Sequence, residues 1–130
     1  MKLPLVLFAI IFSQASNASD WVLVTTAESG SEKVYIDFSS ITAIDNLKKF
    51  WVKYEYEKLQ QDVPNVKSYN VAREYEYLNC AQRKSAVKQQ ALYLEQNIVY
   101  SATEPDGLLF YKYVTPDSIG ETIMQVVCEK

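Results

Sequence analysis

The chain has 130 residues, of which 48% are hydrophobic, 22% charged and 13% aromatic. This length and composition are typical of one compact domain and exclude a disordered tail or a collagen-like repeat. The formal net charge is −3 and there is no histidine. The acidic balance disfavours a nucleic-acid partner, and the lack of histidine excludes histidine-based catalysis and the commonest zinc ligand.

The first 18 residues have the three parts of a signal peptide. Lys2 provides the positive start, residues 3–12 form an apolar run, and residues 13–18 are small and polar. An apolar run of ten is much shorter than the roughly 20 residues that a membrane-spanning helix needs. We therefore expect a cleaved leader, residues 1–18, rather than a retained anchor.

Cleavage after Ala18, or alternatively after Ala15, would release one domain of residues 19–130. Because Lys2 leaves with the leader, this domain keeps 12 basic and 16 acidic residues and a net charge of −4. No cysteine precedes Cys80, so we expect no lipid anchor at the cleavage site. The protein is expected in the periplasm, at the cell surface or in the medium, and not as a lipoprotein.

Export gives the two cysteines a specific meaning. In an oxidising compartment an even, widely spaced pair predicts a disulfide, here between Cys80 and Cys128. The loop that they close has about 49 residues, for which the chain-entropy model gives roughly 4 kcal/mol of stabilisation. A redox-active pair would need a closer spacing such as Cys-x-x-Cys, so the disulfide is interpreted as structural.

Six segments have the alternation or composition of β-strands. In chain order they are residues 21–27, 33–38, 48–60, 68–80, 83–96 and 98–100. The segments 28–32, 42–46, 61–67 and 104–107 are predicted to be turns or loops.

Two of the predicted strands differ in how clearly the sequence indicates them. In 48–60, Phe50 and Val52 alternate with Trp51 and Lys53, which predicts a strand with one wet side. Residues 83–96 mix strand-forming and helix-forming residues, and only their neighbours favour a strand.

The C-terminal segment has a different pattern. Ser118, followed three residues later by Glu121, is a capping box, and Ile119, Ile123 and Val127 then recur at helical spacing. The predicted fold class is α+β and mainly β. It is an antiparallel sheet of about six strands, with one C-terminal helix packed on it and tied by the disulfide.

Four carboxylates at alternating positions raise the question of catalysis: Glu55, Glu57, Glu74 and Glu76. If their strands pair, the wet faces could bring two of them to the spacing of a glycosidase pair, or several around a calcium ion. The simpler interpretation is a solvated strand face, balanced by Lys53, Lys58, Arg73 and Lys88. We adopt it and expect no catalytic, cofactor-binding or metal-binding residues.

Tyrosine is unusually frequent, with ten residues. Seven of them fall on neighbouring long strands of the prediction: Tyr35, Tyr54, Tyr56, Tyr69, Tyr75, Tyr77 and Tyr93. Exposed tyrosine is a favoured contact residue at protein interfaces. The alternative is that most of these rings fill the core or screen the sheet edges.

Several landmarks together resemble the surface-adhesin protein E family of Gram-negative bacteria. They are Trp21, VYIDFSSI at 34–41, Phe50-Trp51-Val52, a tyrosine-rich strand ending at Cys80, and YKYVTPDSIGETIMQVVC at 111–128. The resemblance implies an antiparallel sheet with a C-terminal helix and a Cys80–Cys128 disulfide. It also implies adhesion to host matrix and plasma proteins such as laminin, vitronectin and plasminogen.

We therefore expect an exported, non-catalytic binding domain without a cofactor, and no nucleic-acid partner or integral membrane segment. The alternative is a structural or accessory protein of the periplasm with a bacterial partner. Unpaired edge strands also allow a homodimer. A net charge of −4 on the released domain would favour basic segments on the ligand.

Overall fold

The computed structural model describes residues 18–130, so the predicted signal peptide, apart from Ala18, lies outside the described residues. Within them the chain forms one antiparallel sheet followed by a helix, α1 (Ile119–Cys128). The strands are β1 (Trp21–Thr26), β2 (Glu32–Asp37), β3 (Thr42–Ile44), β4 (Leu47–Gln60), β5 (Tyr69–Asn79), β6 (Lys84–Leu94), β7 (Asn97–Thr103) and β8 (Lys112–Tyr113).

The six predicted strands form the continuous path β1-β2-β4-β5-β6-β7. The two additional strands are short: β3 pairs with the start of β4, and β8 pairs with the start of β6. The predicted fold class is therefore confirmed, with eight strands rather than about six in the described residues.

The predicted turn at 42–46 is wrong for its first three residues. Thr42–Ile44 pairs with the start of β4, and the chain reverses at Asp45 and Asn46. Asp45 has a positive φ of 55°, which aspartate tolerates better than most residues. All three β3 side chains are exposed, so no hydrophobic alternation marked this strand.

Residues 84–94 are a strand, which resolves the ambiguity of that segment. The pairing with β5 shifts between Val87 and Gln89, so Lys88 has no partner in β5 and forms a bulge. The buried residues Ala86, Ala91 and Leu92 consequently do not follow a single period of two. This change of phase explains why the sequence pattern was indecisive.

The sheet has two unlike faces. On the inner face, Val34, Ile36, Phe50, Val52 and Leu78 pack against the helix and are almost fully buried. The helix contributes Ile123, Met124 and Val127 to the same cluster. The opposite side, which we call the outer face, is not covered by α1, and the segment 104–108 lies over it at Tyr77.

The start of α1 has the predicted cap. Ser118 Oγ accepts a hydrogen bond from the Glu121 amide at 3.2 Å, and the Glu121 carboxylate accepts one from the Asp117 amide at 3.3 Å. The first bond satisfies a backbone donor that the first helical turn leaves free, and the second fixes the residue before the N-cap. An ion pair between Arg83 and Glu121, 2.5 Å long, connects this end of the helix to the β5–β6 turn.

A second, smaller core lies on the inner face beyond the helix. It contains Tyr69, Ala72 and Leu92, and the β4–β5 loop covers it with Val63 and Val66. The hydroxyl of Tyr69 donates to Asp62 Oδ1 at 2.5 Å, which fixes that loop to the sheet.

The predicted disulfide is confirmed. Cys80 directly follows β5 and Cys128 is the last residue of α1, and their Cα atoms are 6.0 Å apart. The bond therefore ties the end of the helix to the end of β5, a central strand of the sheet.

Replacing Cys128 with serine should lower the free energy of unfolding by about 2–4 kcal/mol, because the unfolded chain regains the freedom of a long loop. Urea unfolding of the oxidised domain and the variant measures the difference. The wild type under reducing conditions is the matched control and should unfold at the same urea concentration as the variant. Equal midpoints for the oxidised wild type and the variant would contradict this role of the disulfide.

Candidate functional site

Five half-buried aromatic side chains lie on the outer face, each from a different strand: Trp21, Tyr35, Trp51, Tyr75 and Tyr93. Trp51 and Tyr75 are directly opposite each other on β4 and β5, with their rings stacked at 5.2 Å. The aromatic groups thus extend across β1, β2, β4, β5 and β6 on one side of the sheet.

Two cations lie among these rings. Lys53 Nζ is 4.8 Å from the centre of the Trp21 ring and 4.7 Å from that of Tyr35. The Arg73 guanidinium is 5.7 Å from the Trp21 ring and 4.9 Å from the Tyr93 ring. Such contacts are individually worth about 0.5–1 kcal/mol at exposed sites and more when water is excluded.

Lys53 and Arg73 are also cross-strand partners, so two like charges lie directly opposite each other. Lys53 has an ion pair with Glu55 at 3.4 Å. Among the described residues Arg73 has no such partner, and its buried Nε makes no hydrogen bond. Beside the two cations is a shallow cavity of about 340 Å³, which also contacts Tyr93 and Glu95.

Asp37 determines where Trp21 begins the first strand. Its buried carboxylate accepts hydrogen bonds from the Asp20 amide at 2.8 Å and from the Ser39 amide at 3.1 Å. The Phe38 amide in turn donates to the Asp20 carbonyl at 3.0 Å. Asp20 is thereby fixed on both sides, which places Trp21 next to Lys53 and Arg73.

The seven tyrosines of the sequence prediction are divided by the structure. Tyr35, Tyr75 and Tyr93 are on the outer face, whereas Tyr54, Tyr56 and Tyr69 pack in the second core. Tyr77 is buried beneath the segment 104–108, and its hydroxyl donates to Asp106 at 3.2 Å. The interface interpretation therefore has a structural basis for three of the seven.

The four carboxylates do not share a face, so the predicted solvated face is wrong for two of them. Glu76 is opposite Phe50 and Glu74 is opposite Val52, which places both on the inner face, whereas Glu55 pairs with Val71 on the outer face. Carboxylates on opposite sides of a sheet cannot form one glycosidase pair or surround one calcium ion. The error came from assuming that charged side chains on a strand face solvent, which does not hold for β5.

Glu76 is only 8% exposed, although it carries an ionisable group. Burial, together with the charge of Glu74, raises the pKa of Glu76 from 4.5 to about 8, and the nearby Tyr54 hydroxyl partly opposes this. Burial likewise raises the pKa of Glu74, which a hydrogen bond of 3.0 Å from Gln90 Nε2 partly opposes. Glu76 is therefore largely protonated at neutral pH.

Sequence reasoning also missed a protruding apolar segment. Leu108, Phe110 and Tyr113 are each more than 70% exposed, between β7 and α1. It likewise missed the cations among the outer-face rings. The available signal was parity: Lys53 and Arg73 share the parity of Trp51 and Tyr75 on their strands.

The fold and this surface define a class of small disulfide-bonded domain, in which a helix covers one face of an antiparallel sheet and aromatic side chains and cations line the other. The family described as surface-adhesin protein E matches residues 21–129. The chain belongs to this family, as the sequence landmarks implied.

Solved structures of Haemophilus influenzae protein E have the same fold. The structure from the non-typeable bacterium has 19% identity and a TM-score of 0.57, and the match covers 89% of this chain and 80% of that one. A second crystal form has 19% identity and a TM-score of 0.59, with 89% and 92% covered. None of the curated proteins matches the chain.

Replacing Glu76 with glutamine should change the pH dependence of stability. Because the folded-state pKa of Glu76 lies above its ordinary 4.5, the Glu76 contribution is complete at low pH and declines as the pH rises from about 4.5 through about 8. The variant should match the wild type near pH 4 and be more stable by roughly 2–4 kcal/mol at pH 9.

Urea unfolding from pH 4 to pH 9 measures this difference, with Glu57→Gln as the control because Glu57 is exposed at the far end of β4. The control should leave the pH profile unchanged. A difference between Glu76→Gln and wild type that stays constant with pH would contradict the raised pKa.

Proposed function

We propose that the chain is an exported, non-catalytic surface adhesin that binds host extracellular-matrix or plasma proteins such as laminin, vitronectin and plasminogen. Membership of the adhesin family supports the general role. The single structural observation that carries the proposal is the outer face, with five aromatic side chains held on rigid strands. Tyrosine and tryptophan provide large contact areas at little entropic cost, so this face needs no deep pocket to bind a protein.

A catalytic role has less support. Among residues 18–130, the carboxylate whose pKa burial raises most is Glu76, which lies on the helix side of the sheet and is buried, so a polymeric substrate has no access to it. A general acid must reach the bond that it protonates. We therefore assign no catalytic, cofactor or metal residue.

For the location, we propose a mature chain that begins at Ser19, is not lipid-modified, and resides in the periplasm, at the surface or in the medium. The signal-peptide pattern and the adhesin family both support export. Within residues 18–130, no helix is long and apolar enough to cross a membrane.

The edge of the sheet offers a second way to contact another protein chain. β7 is the last strand of the continuous path and carries the exposed Ile98. An unpaired edge offers backbone donors and acceptors to another strand, so we propose that β7 is where a second copy would pair if the protein forms a homodimer.

Tyr35→Ala and Tyr93→Ala should each weaken binding to a host protein by about tenfold or more, because central aromatic contacts dominate interface energies. Surface plasmon resonance of the oxidised domain, residues 19–130, on immobilised laminin, vitronectin and plasminogen measures the affinities. Tyr113→Ala is the control, because Tyr113 is an exposed tyrosine on the short strand β8 and is not one of the five outer-face aromatic residues.

Two results would count against the adhesin role. Saturable binding to an envelope extract from the same bacterium, without binding to any host protein, would favour the alternative of a periplasmic accessory protein. If Tyr113→Ala weakened host-protein binding as much as Tyr35→Ala and Tyr93→Ala, the outer face would not be the binding surface.

Expression in a Gram-negative host should yield exported protein whose N-terminal sequence starts at Ser19, or at Ser16 if cleavage follows Ala15. Cell fractionation, Edman sequencing and intact mass measure this. Retention of Met1 in exported material, or a mass increase from acyl chains, would contradict the proposed processing.

A further inference from the structure

The outer face carries charge of a different sign from the whole protein. The chain has a net charge of −3, yet the middle of the outer face contains three cations, Lys33, Lys53 and Arg73, against the two carboxylates Glu55 and Glu95. The overall charge suggested a basic ligand, whereas the local charge favours an acidic one.

The arrangement of Lys53 and Arg73 leaves positive charge uncompensated. Like charges directly opposite each other on neighbouring strands are destabilising. Within the described part of the chain, the only carboxylate paired with either of them is Glu55, 3.4 Å from Lys53. The rings of Trp21, Tyr35 and Tyr93 cover the cations but supply no formal negative charge. An incoming anion would therefore relieve a repulsion that the folded domain itself does not cancel.

Arg73 also has unused hydrogen-bonding capacity. Its Nε is buried without an acceptor among residues 18–130, and its guanidinium borders the shallow cavity between Lys53 and Tyr93. A guanidinium binds a carboxylate through two parallel hydrogen bonds, whereas an ammonium acts as a point charge. Arginine, tryptophan and tyrosine are also the residues that dominate protein interfaces energetically.

We propose that Lys53 and Arg73, held between Trp21, Tyr35 and Tyr93, bind a carboxylate side chain from an acidic segment of a protein partner. This inference rests on the proposed function, since it specifies the chemistry of the partner for the same face. Arg73 receives the carboxylate, Lys53 contributes the second positive charge, and the rings contact the apolar neighbours of that carboxylate.

The two tryptophans make the test direct, because both are on the outer face and the sequence contains only two. Poly-L-glutamate, titrated into the oxidised domain at low salt, should change the tryptophan fluorescence saturably, and added salt should weaken the effect. Arg73→Gln and Lys53→Gln should each weaken binding by about tenfold or more, the loss expected for a charge-assisted hydrogen bond.

Lys112→Gln is the matched control, because it removes one positive charge from β8, away from the patch. It should leave the affinity for poly-L-glutamate unchanged. Far-UV circular dichroism of each variant identifies any that fails to fold, and Arg73→Lys provides a second test, since it keeps the charge but removes the paired hydrogen bonds. A folded Arg73→Lys variant should also bind more weakly than wild type.

Three results would overturn the inference. They are no saturable fluorescence change with poly-L-glutamate, equal weakening by the Lys112 control, and a stronger Arg73-dependent response to heparin, which would assign the site to a sulfated glycan. If poly-L-glutamate fails while a host protein still binds through Tyr35 and Tyr93, this inference is wrong and the proposed function stands.

Discussion

The length of the single helix constrains the rest of the structure. Ten helical residues extend about 15 Å, whereas the fourteen residues of β4 extend about 46 Å. The helix therefore covers only the part of the inner face around Phe50, Val52 and Leu78. The remaining sheet needs other cover, which the β4–β5 loop supplies over the second core, and side chains of the sheet itself supply on the outer face.

This shortage of cover explains why charged side chains occur in unusual places on both faces. Glu74 and Glu76 lie on the inner face, on the strand whose next inward position, Leu78, packs against the helix. On the outer face the segment 104–108 covers Tyr77, whereas aromatic rings lie over Lys53 and Arg73 and reduce the exposure of both side chains. Burial favours the neutral form of an acid but cannot neutralise arginine. A buried carboxyl on the inner face can therefore lose its charge, whereas the cations on the outer face stay charged beneath aromatic rings.

The sequence predicted the secondary-structure elements better than the contacts between them. In β4 the alternation of Phe50 and Val52 with Trp51 and Lys53 matched the two faces, because only one side of that strand is aliphatic. In β5 tyrosines alternate with glutamates, and the sequence interpretation placed the glutamates on a solvated face. The register that sets Glu76 opposite Phe50 depends on contacts between distant segments, which no local period reveals. For the outer-face site, parity grouped Lys53 with Trp51 and Arg73 with Tyr75, but the strand pairing that brings Trp21, Lys53 and Arg73 together from three strands has no local signal.

The segment that carries much of the family resemblance also supports the surface proposed for binding. In VYIDFSSI, Val34 and Ile36 belong to the core, Tyr35 contacts Lys53, and Asp37 fixes Asp20. Ser40 continues this connection, since its hydroxyl donates to the Asp37 carbonyl at 2.7 Å and accepts from the Trp51 amide at 2.9 Å. One short segment thus positions outer-face aromatic residues on three strands, β1, β2 and β4. Rigid placement of this kind lowers the entropic cost of binding, which is how a sheet face without a deep pocket can act as a specific surface.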